Sequence, residues 1–284
     1  MNFQEHLTKS LNYAPTLSAQ ELSDQITEQA FNSSSLLQNV GMQIADNPSY
    51  RNVFVTHPSI SEVTEGQVIP TSTVQSYVTK AADFTKIATS IELSNEVLTF
   101  SKFDIEANTA MLVGNVTADK IAGLVTDNLK IRETLTPDRV IGEDVLKVVS
   151  GIANEWGSDA AGIYTLLGNV VKTIPDVYDA NSKLFCNKEN LVDFTTALTS
   201  QGDQTWLVQN GLLFGRYEIV VCDQLPTGTM YFGDLEAAFD VVALQGNQIA
   251  DPYTKPDVLK ITNTSKFATV AKDAIGITAV VQEV

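Results

Sequence analysis

The chain has 284 residues, 44% of them hydrophobic, enough to bury a substantial core in one or two domains and to exclude disorder throughout. Eighteen basic against thirty-four acidic residues give a net charge of −16 and a pI near 4.4, which argues against a surface that binds nucleic acid by neutralising phosphates. No apolar run approaches the ~18 residues that cross a bilayer, and Met1 to His6 lacks the basic lead and apolar core of a signal peptide, so a soluble cytosolic protein with no membrane partner is expected.

The first fifty residues are polar, with one well-signed helix. Ser18 and Glu21 form a capping box, Leu17 and Leu22 fit the hydrophobic staple, and Leu22, Ile26 and Ala30 continue one face. Phe31 to Asn47, with serines at 33 to 35, reads as an extended or mobile lead-in that lies across a neighbour or simply stays a partly ordered terminus.

Two strand-like stretches follow, Val53 to Glu62 and Val74 to Ser94, in which Val, Ile, Thr, Phe and Tyr recur between polar residues. The run Glu65-Gly66-Gln67 and then Pro70 to Thr73 turns the chain between them. This is a two-stranded arm, and because a lone ribbon is marginally stable in water it needs another surface, expected to be another copy of the chain. A helical stripe comes next: Phe103, Ala107, Ala110 with Met111, Gly114, Ala118, Ile121 with Ala122, Val125 and Leu129. Helical from Lys102 to Leu129, it spans roughly 40 Å.

Thr136-Pro137-Asp138 marks a boundary. Beyond it, Asp144 to Trp156 carries Val145, Val148-Val149, Ile152 and Trp156 at helical spacing, and Ala160 to Val171 is a second helix closed by Pro175. Leu184 to Cys186 reads as a buried strand, and Asn187 caps a helix over Glu189 to Leu198. Tyr217 to Cys222 and Met230 to Phe232 are strands around the turn Asp223 to Gly228. The tail alternates strand segments, Val258 to Thr262, Phe267 to Val270 and Ile275 to Val281, closing a mixed α+β protein.

No pattern carries a reaction. G-x-S-x-G, G-x-x-x-x-G-K, G-x-G-x-x-G and H-E-x-x-H are all absent. Acidic pairs such as Asp104/Glu106 and Asp234/Glu236 are what thirty-four carboxylates give by chance, and Trp206-Leu207 and Tyr231-Phe232 fit core packing better than base stacking. Cys186 and Cys222 read as buried free thiols, with His6 and His57 far off in sequence, so no metal, cofactor or catalytic residue is assigned.

Two segments carry a resemblance. Val74 to Leu98, ending in Ser94, Glu96, Val97 and Leu98, resembles the returning leg of an extended loop and the "S-x-E-(V/L)-L" entry to a spine helix in the major capsid proteins of tailed bacteriophages, the Hong Kong 97-type fold. Within Leu213 to Val242, Gly215 to Pro226 is similar to that family's "G-x-P-V…D-x-M-P" strand and turn, and Tyr231 to Phe239 to its "F-G-D-F…A-Y" segment.

The resemblance implies a capsid shell subunit and not an enzyme. Its portions would be an N-terminal arm (1–52), an extended loop (53–90), the spine helix with the first part of a peripheral domain (91–137), an axial domain (138–244) and the peripheral domain's last strands (245–284). Glu62, Glu65, Gly66, Gln67, Pro70, Tyr77 and Lys80 on the loop would touch a neighbouring subunit. The implied partners are copies of the chain in hexamers and pentamers, a portal, and enclosed double-stranded DNA held without sequence-specific binding, all assembled in a bacterial cytoplasm. With only about fifty residues before the loop, a separate scaffolding protein is expected in place of a cleaved leader. Some relatives weld subunits through a loop lysine and an asparagine, but Lys80, Lys86, Asn247 and Asn263 do not align with that chemistry. An encapsulin-like nanocompartment shell and a cytosolic α+β hydrolase are the alternatives.

Overall fold

The computed structural model describes residues 28–55, 77–94, 105–134, 147–150, 160–196, 207–255, 258–272 and 276–281. After a helical segment over residues 28–33 and a 3-10 turn at Leu37–Asn39 come β1 (Gly41–Ala45), β2 (Arg51–Val55), β3 (Tyr77–Ala81) and β4 (Thr85–Ser94). The long helix α1 (Ile105–Thr134) leads to β5 (Lys147–Ser150), α2 (Ala160–Thr173), α3 (Asp176–Asp179), β6 (Lys183–Cys186) and α4 (Lys188–Thr196). The chain then forms β7 (Val208–Gln209), β8 (Leu212–Leu213), β9 (Tyr217–Val221), β10 (Thr229–Gly233), α5 (Leu235–Ala238), β11 (Phe239–Lys255), β12 (Val258–Ala271) and β13 (Ile277–Val281).

Three sheets organise these elements. A mixed seven-stranded sheet runs β5-β13-β10-β6-β9-β8-β7, a four-stranded sheet runs β1-β11-β12-β4, and β2 and β3 pair only with each other among the described residues. In the seven-stranded sheet β10 carries the apolar run Met230-Tyr231-Phe232, wholly buried, as the packing reading of Tyr231-Phe232 expects. One strand end there needs glycine: Gly233 has φ +146°, and a Cβ on it would lie 2.0 Å from the Gly276 carbonyl oxygen. That carbonyl accepts the Asp234 N–H at 3.1 Å, joining β10 to the entry of β13.

The long helix carries 30 residues, about 45 Å at 1.5 Å per residue. Ala118, Ile121, Ala122, Val125 and Leu129 are buried, the face anticipated from the spacing; Val113, outside that stripe, is buried too, whereas Met111 is 45% exposed. The helix joins Phe239, Val241, Ala243 and Phe267 of the four-stranded sheet in one core. Asn128 fixes its position by donating to the Thr269 carbonyl at 3.2 Å and to Thr269 Oγ1 at 2.6 Å. Gly114 lets the helical segment 28–33 cross closely, because a Cβ there would sit within 2.9 Å of the Gln29 side chain.

Several expectations are corrected. The lead-in from Phe31 to Asn47 is built into the body: Ala30, Phe31, Leu36, Leu37 and Val40 are core residues, and β1 pairs in parallel with β11 from Gly41↔Asp240 to Ala45↔Leu244. Its polar composition concealed a few apolar anchors that a core accepts one at a time. The stretch expected to be one return strand from Val74 to Ser94 is interrupted at residues 82–84; β3 closes the hairpin, but β4 pairs with β12 from Val258↔Ser94 to Phe267↔Thr85. Within Asp144 to Trp156, expected to be helical, residues 147–150 form β5 beside β13, in keeping with the β-branched pair Val148-Val149. The tail's first two strand segments are one strand, β12, whose long antiparallel partner β11 went unread. The capping box at Ser18 and Glu21 lies outside the described residues.

Ile121 is fully buried at the middle of the long helix, whereas Val116 is 56% exposed. Ile121→Ala should lower the unfolding free energy of the unassembled subunit by about 2–5 kcal/mol, and Val116→Ala by less than about 0.5 kcal/mol, in guanidinium titrations.

Candidate inter-subunit surfaces

The hairpin β2–β3 pairs only with itself among the described residues. Its strands alternate in sequence, Arg51-Asn52-Val53-Phe54-Val55 against Tyr77-Val78-Thr79-Lys80-Ala81, in antiparallel register from Arg51↔Ala81 to Val55↔Tyr77. Of the loop residues singled out from sequence, Tyr77 and Lys80 lie on β3, opposite Val55 and Asn52. Glu62, Glu65, Gly66, Gln67 and Pro70 lie outside the described residues. At the root, the Ala82 N–H donates to the Tyr50 carbonyl at 3.0 Å, and Tyr50 and Phe84 pack on a small core of Ala45, Ala82, Val242, Ala268 and Val270.

Other surfaces carry apolar side chains into solvent. β1 ends its sheet, and Met42 and Ile44 on it are 41% and 72% exposed although their register partners Val241 and Ala243 are buried. The same sheet face therefore passes from core to solvent over one strand. On the long helix Leu112 and Val116, one turn apart, face outward. Sequence reading did not single out these four residues; the signal was available in Leu112 and Val116, which lie off the buried stripe.

The polar groups are occupied with structure. A cleft of about 450 Å³ lies among Gln38, Asn39, Asp179, Lys183, Arg216 and Glu218. Two ion pairs line it: Lys183 with Glu218 at 2.6 Å, and Arg216 with Asp179, which also accepts the Tyr217 hydroxyl at 2.6 Å. Burial, then the bond to and charge of Asp179, raise the Tyr217 hydroxyl above its usual range. Asp234, one of the acidic pair noted in sequence, caps α5 by accepting the Ala237 N–H at 3.0 Å, and Glu236 is exposed. Asn187 accepts the Glu189 N–H at 3.1 Å, the predicted cap of α4.

Cys186 and Cys222 are free and buried, Cys186 at the end of β6 and Cys222 just past the adjacent parallel strand β9, and the Cys222 N–H donates to the Cys186 carbonyl at 2.9 Å. Burial pushes the Cys186 thiol up to about 12 and the Cys222 thiol up to about 11, opposite to the activation a nucleophilic cysteine needs. Among the described residues no group of three or more His, Cys, Asp or Glu side chains is placed to hold a metal ion, and no helix is long and apolar enough to cross a membrane.

Residues 16–280 match the family model described as the phage capsid family. The chain belongs to that family. Solved structures agree on the fold: the capsid of an empty GTA particle (TM-score 0.75, 15% identity, covering 89% of this chain and 90% of that one) and the satellite phage P4 procapsid including size determination (Sid) protein (TM-score 0.63, 11% identity, 99% and 98%). A protein of Mycobacterium phage Cain is similar too (TM-score 0.59, 15% identity, 89% and 91%). Comparison with curated proteins gives no match. The chain is a capsid shell protein with the Hong Kong 97-type α+β fold, a structural component of the virion and a subunit of a homo-oligomer. The nanocompartment alternative is not favoured.

The two thiols test the core directly. In the folded subunit at pH 8 neither should react with a thiol reagent, and both should react on unfolding. Each thiol titrates higher when folded than its ordinary value of 9.0, so the stability from burying it neutral is complete below about pH 9 and is lost as pH rises from there toward 11–12. Denaturant midpoints at pH 7.5 and 10.5 should differ accordingly, the second being lower.

Proposed function

We propose that this protein assembles through hexamers and pentamers into an icosahedral shell around double-stranded DNA, and that the hairpin is the device that locks one subunit to the next. What carries this reading is a β-ribbon paired with nothing but itself among the described residues, on a chain of the phage capsid family. The contacts with the neighbour fall on Glu62, Glu65, Gly66, Gln67, Pro70, Tyr77 and Lys80. Repeated interfaces of order 1,000 Å² or more, each modest, then hold the closed shell.

In this reading residues 1–52 are the N-terminal arm, 53–90 the extended loop, 91–137 the spine helix and the start of the peripheral domain, 138–244 the axial domain and 245–284 the rest of the peripheral domain. β11 runs through residues 244 and 245, so one continuous strand joins the last two portions. Assembly takes place in the bacterial cytoplasm around a portal, directed by a separate scaffolding protein. The similar P4 procapsid structure, which includes a size-determination protein, supports direction by a second protein. The charge of −16 gives the shell an inner wall that does not adhere to packed phosphates.

Replacing residues 56–76 by a short Gly-Ser turn tests this. The shortened subunit should keep its circular dichroism and melting transition yet sediment as small oligomers, whereas the full chain under the same conditions yields closed particles by electron microscopy. Closed particles from the shortened chain would overturn the proposed role of the hairpin.

A further inference from the structure

Four polar residues from separate parts of the chain meet where the hairpin leaves the body. Asp240, near the start of β11, is 2% exposed, and its two carboxylate oxygens are taken by different partners: Lys272 Nζ on Oδ1 at 2.8 Å and Gln43 Nε2 on Oδ2 at 2.8 Å. Lys272 is itself held, its backbone N–H donating to the Ala238 carbonyl at 2.7 Å. Gly41 leaves the room this requires, since a Cβ there would lie 2.1 Å from Asp240 Oδ1. The Gln43 carbonyl oxygen accepts the hydroxyl of Tyr50, the residue immediately before β2.

The chemistry fixes the sense of this chain of bonds. A carboxylate only accepts, so Gln43 must turn its amide nitrogen to Asp240, which leaves its carbonyl oxygen facing Tyr50 and in need of a donor. The Asp240–Lys272 end is charge-assisted, with Asp240 buried and Lys272 partly exposed; the Gln43–Tyr50 end is exposed, where one such bond has a modest net effect. The strong end anchors and the weak end can open. Beneath it, Tyr50 and Phe84 rest on the small core of Ala45, Ala82, Val242, Ala268 and Val270, separate from the main cores.

We propose that Gln43 and Tyr50 form a latch, anchored on the Asp240–Lys272 ion pair, that fixes the direction in which the hairpin leaves the body. Closed, it ties the hairpin root to β1 and β11; open, it frees the root to pivot about residues 46–50. Its consequence for shell curvature rests on the reading of the hairpin as the inter-subunit arm, but the latch itself belongs to the single subunit.

Hydrogen exchange of the unassembled full-length subunit tests the latch without requiring a shell. Tyr50→Phe keeps the ring and its packing and removes only the donor; Gln43→Met breaks both of its bonds. Each should speed exchange at amides of 51–55 and 78–82 about three- to tenfold, with a much smaller effect at residues 229–233; Tyr50→Phe should leave the melting temperature unchanged, whereas Gln43→Met, which takes a donor from the buried Asp240, should lower it modestly. Because the bonds act in series, the double variant should match Gln43→Met alone. Met42→Ala, on the opposite face of β1, should leave hairpin exchange as in the wild type. Unchanged hairpin exchange in both single variants, equal acceleration through 229–233, or additive effects in the double variant would overturn the latch. Failure of the wild-type chain to form particles would instead count against the proposed function and leave the exchange result standing.

Discussion

Two strands that pair only with each other bury little of either face, and a ribbon of that kind is marginal in water unless it rests on something else. The hairpin β2–β3 meets this constraint at its root, where Tyr50, Ala82 and Phe84 tie it to the four-stranded sheet through one backbone hydrogen bond and a small apolar cluster. Among the described residues β2 and β3 pair with no other strand.

The body supplies the rigidity such an arm needs. The long helix lies against β12 and is pinned by Asn128 on Thr269, and the N-terminal segment crosses it at Gly114 before entering the sheet as β1. Ser35 reaches across to the Val221 carbonyl at 2.7 Å, coupling that segment to the seven-stranded sheet. Turns are clamped by side chains as well: Asn190, fully buried, accepts the Gly228 N–H at 3.2 Å and donates to the Thr229 carbonyl at 3.2 Å. Side chains such as Asn128, Ser35 and Asn190 thus join separate elements, and the cleft around Asp179 and Arg216 holds two ion pairs.

Elements whose residues face two environments at a regular period were legible in the sequence. The long helix shows this in Ala118, Ile121, Val125 and Leu129, and so does α2; the strands around the Asp223–Gly228 turn were legible instead from their apolar runs, Ile219-Val220-Val221 and Met230-Tyr231-Phe232, flanking turn residues. Elements set by long-range pairing were not. β5 is four residues whose pattern suits helix or strand until β13 is placed beside it, and β11 hides behind polar residues after Leu244. One local signal was passed over: Asn210-Gly211, with φ +53° and +79°, makes the two-residue turn between β7 and β8, a dipeptide well suited to such a hairpin. At the candidate surfaces, the ribbon was readable from its turn residues, but the latch was not, because Gln43, Tyr50, Asp240 and Lys272 are brought together only by the parallel pairing of β1 with β11.

The central claim is that the ribbon finds its missing support on a neighbouring copy. An electron-microscopic reconstruction of particles assembled from the purified chain tests it most directly. The account predicts a closed shell in which β2 and β3 lie over the adjacent subunit with residues 62–80 in contact with it. A shell whose hairpins fold back on their own subunits, or a chain that stays monomeric at every concentration and salt condition tried, would contradict it.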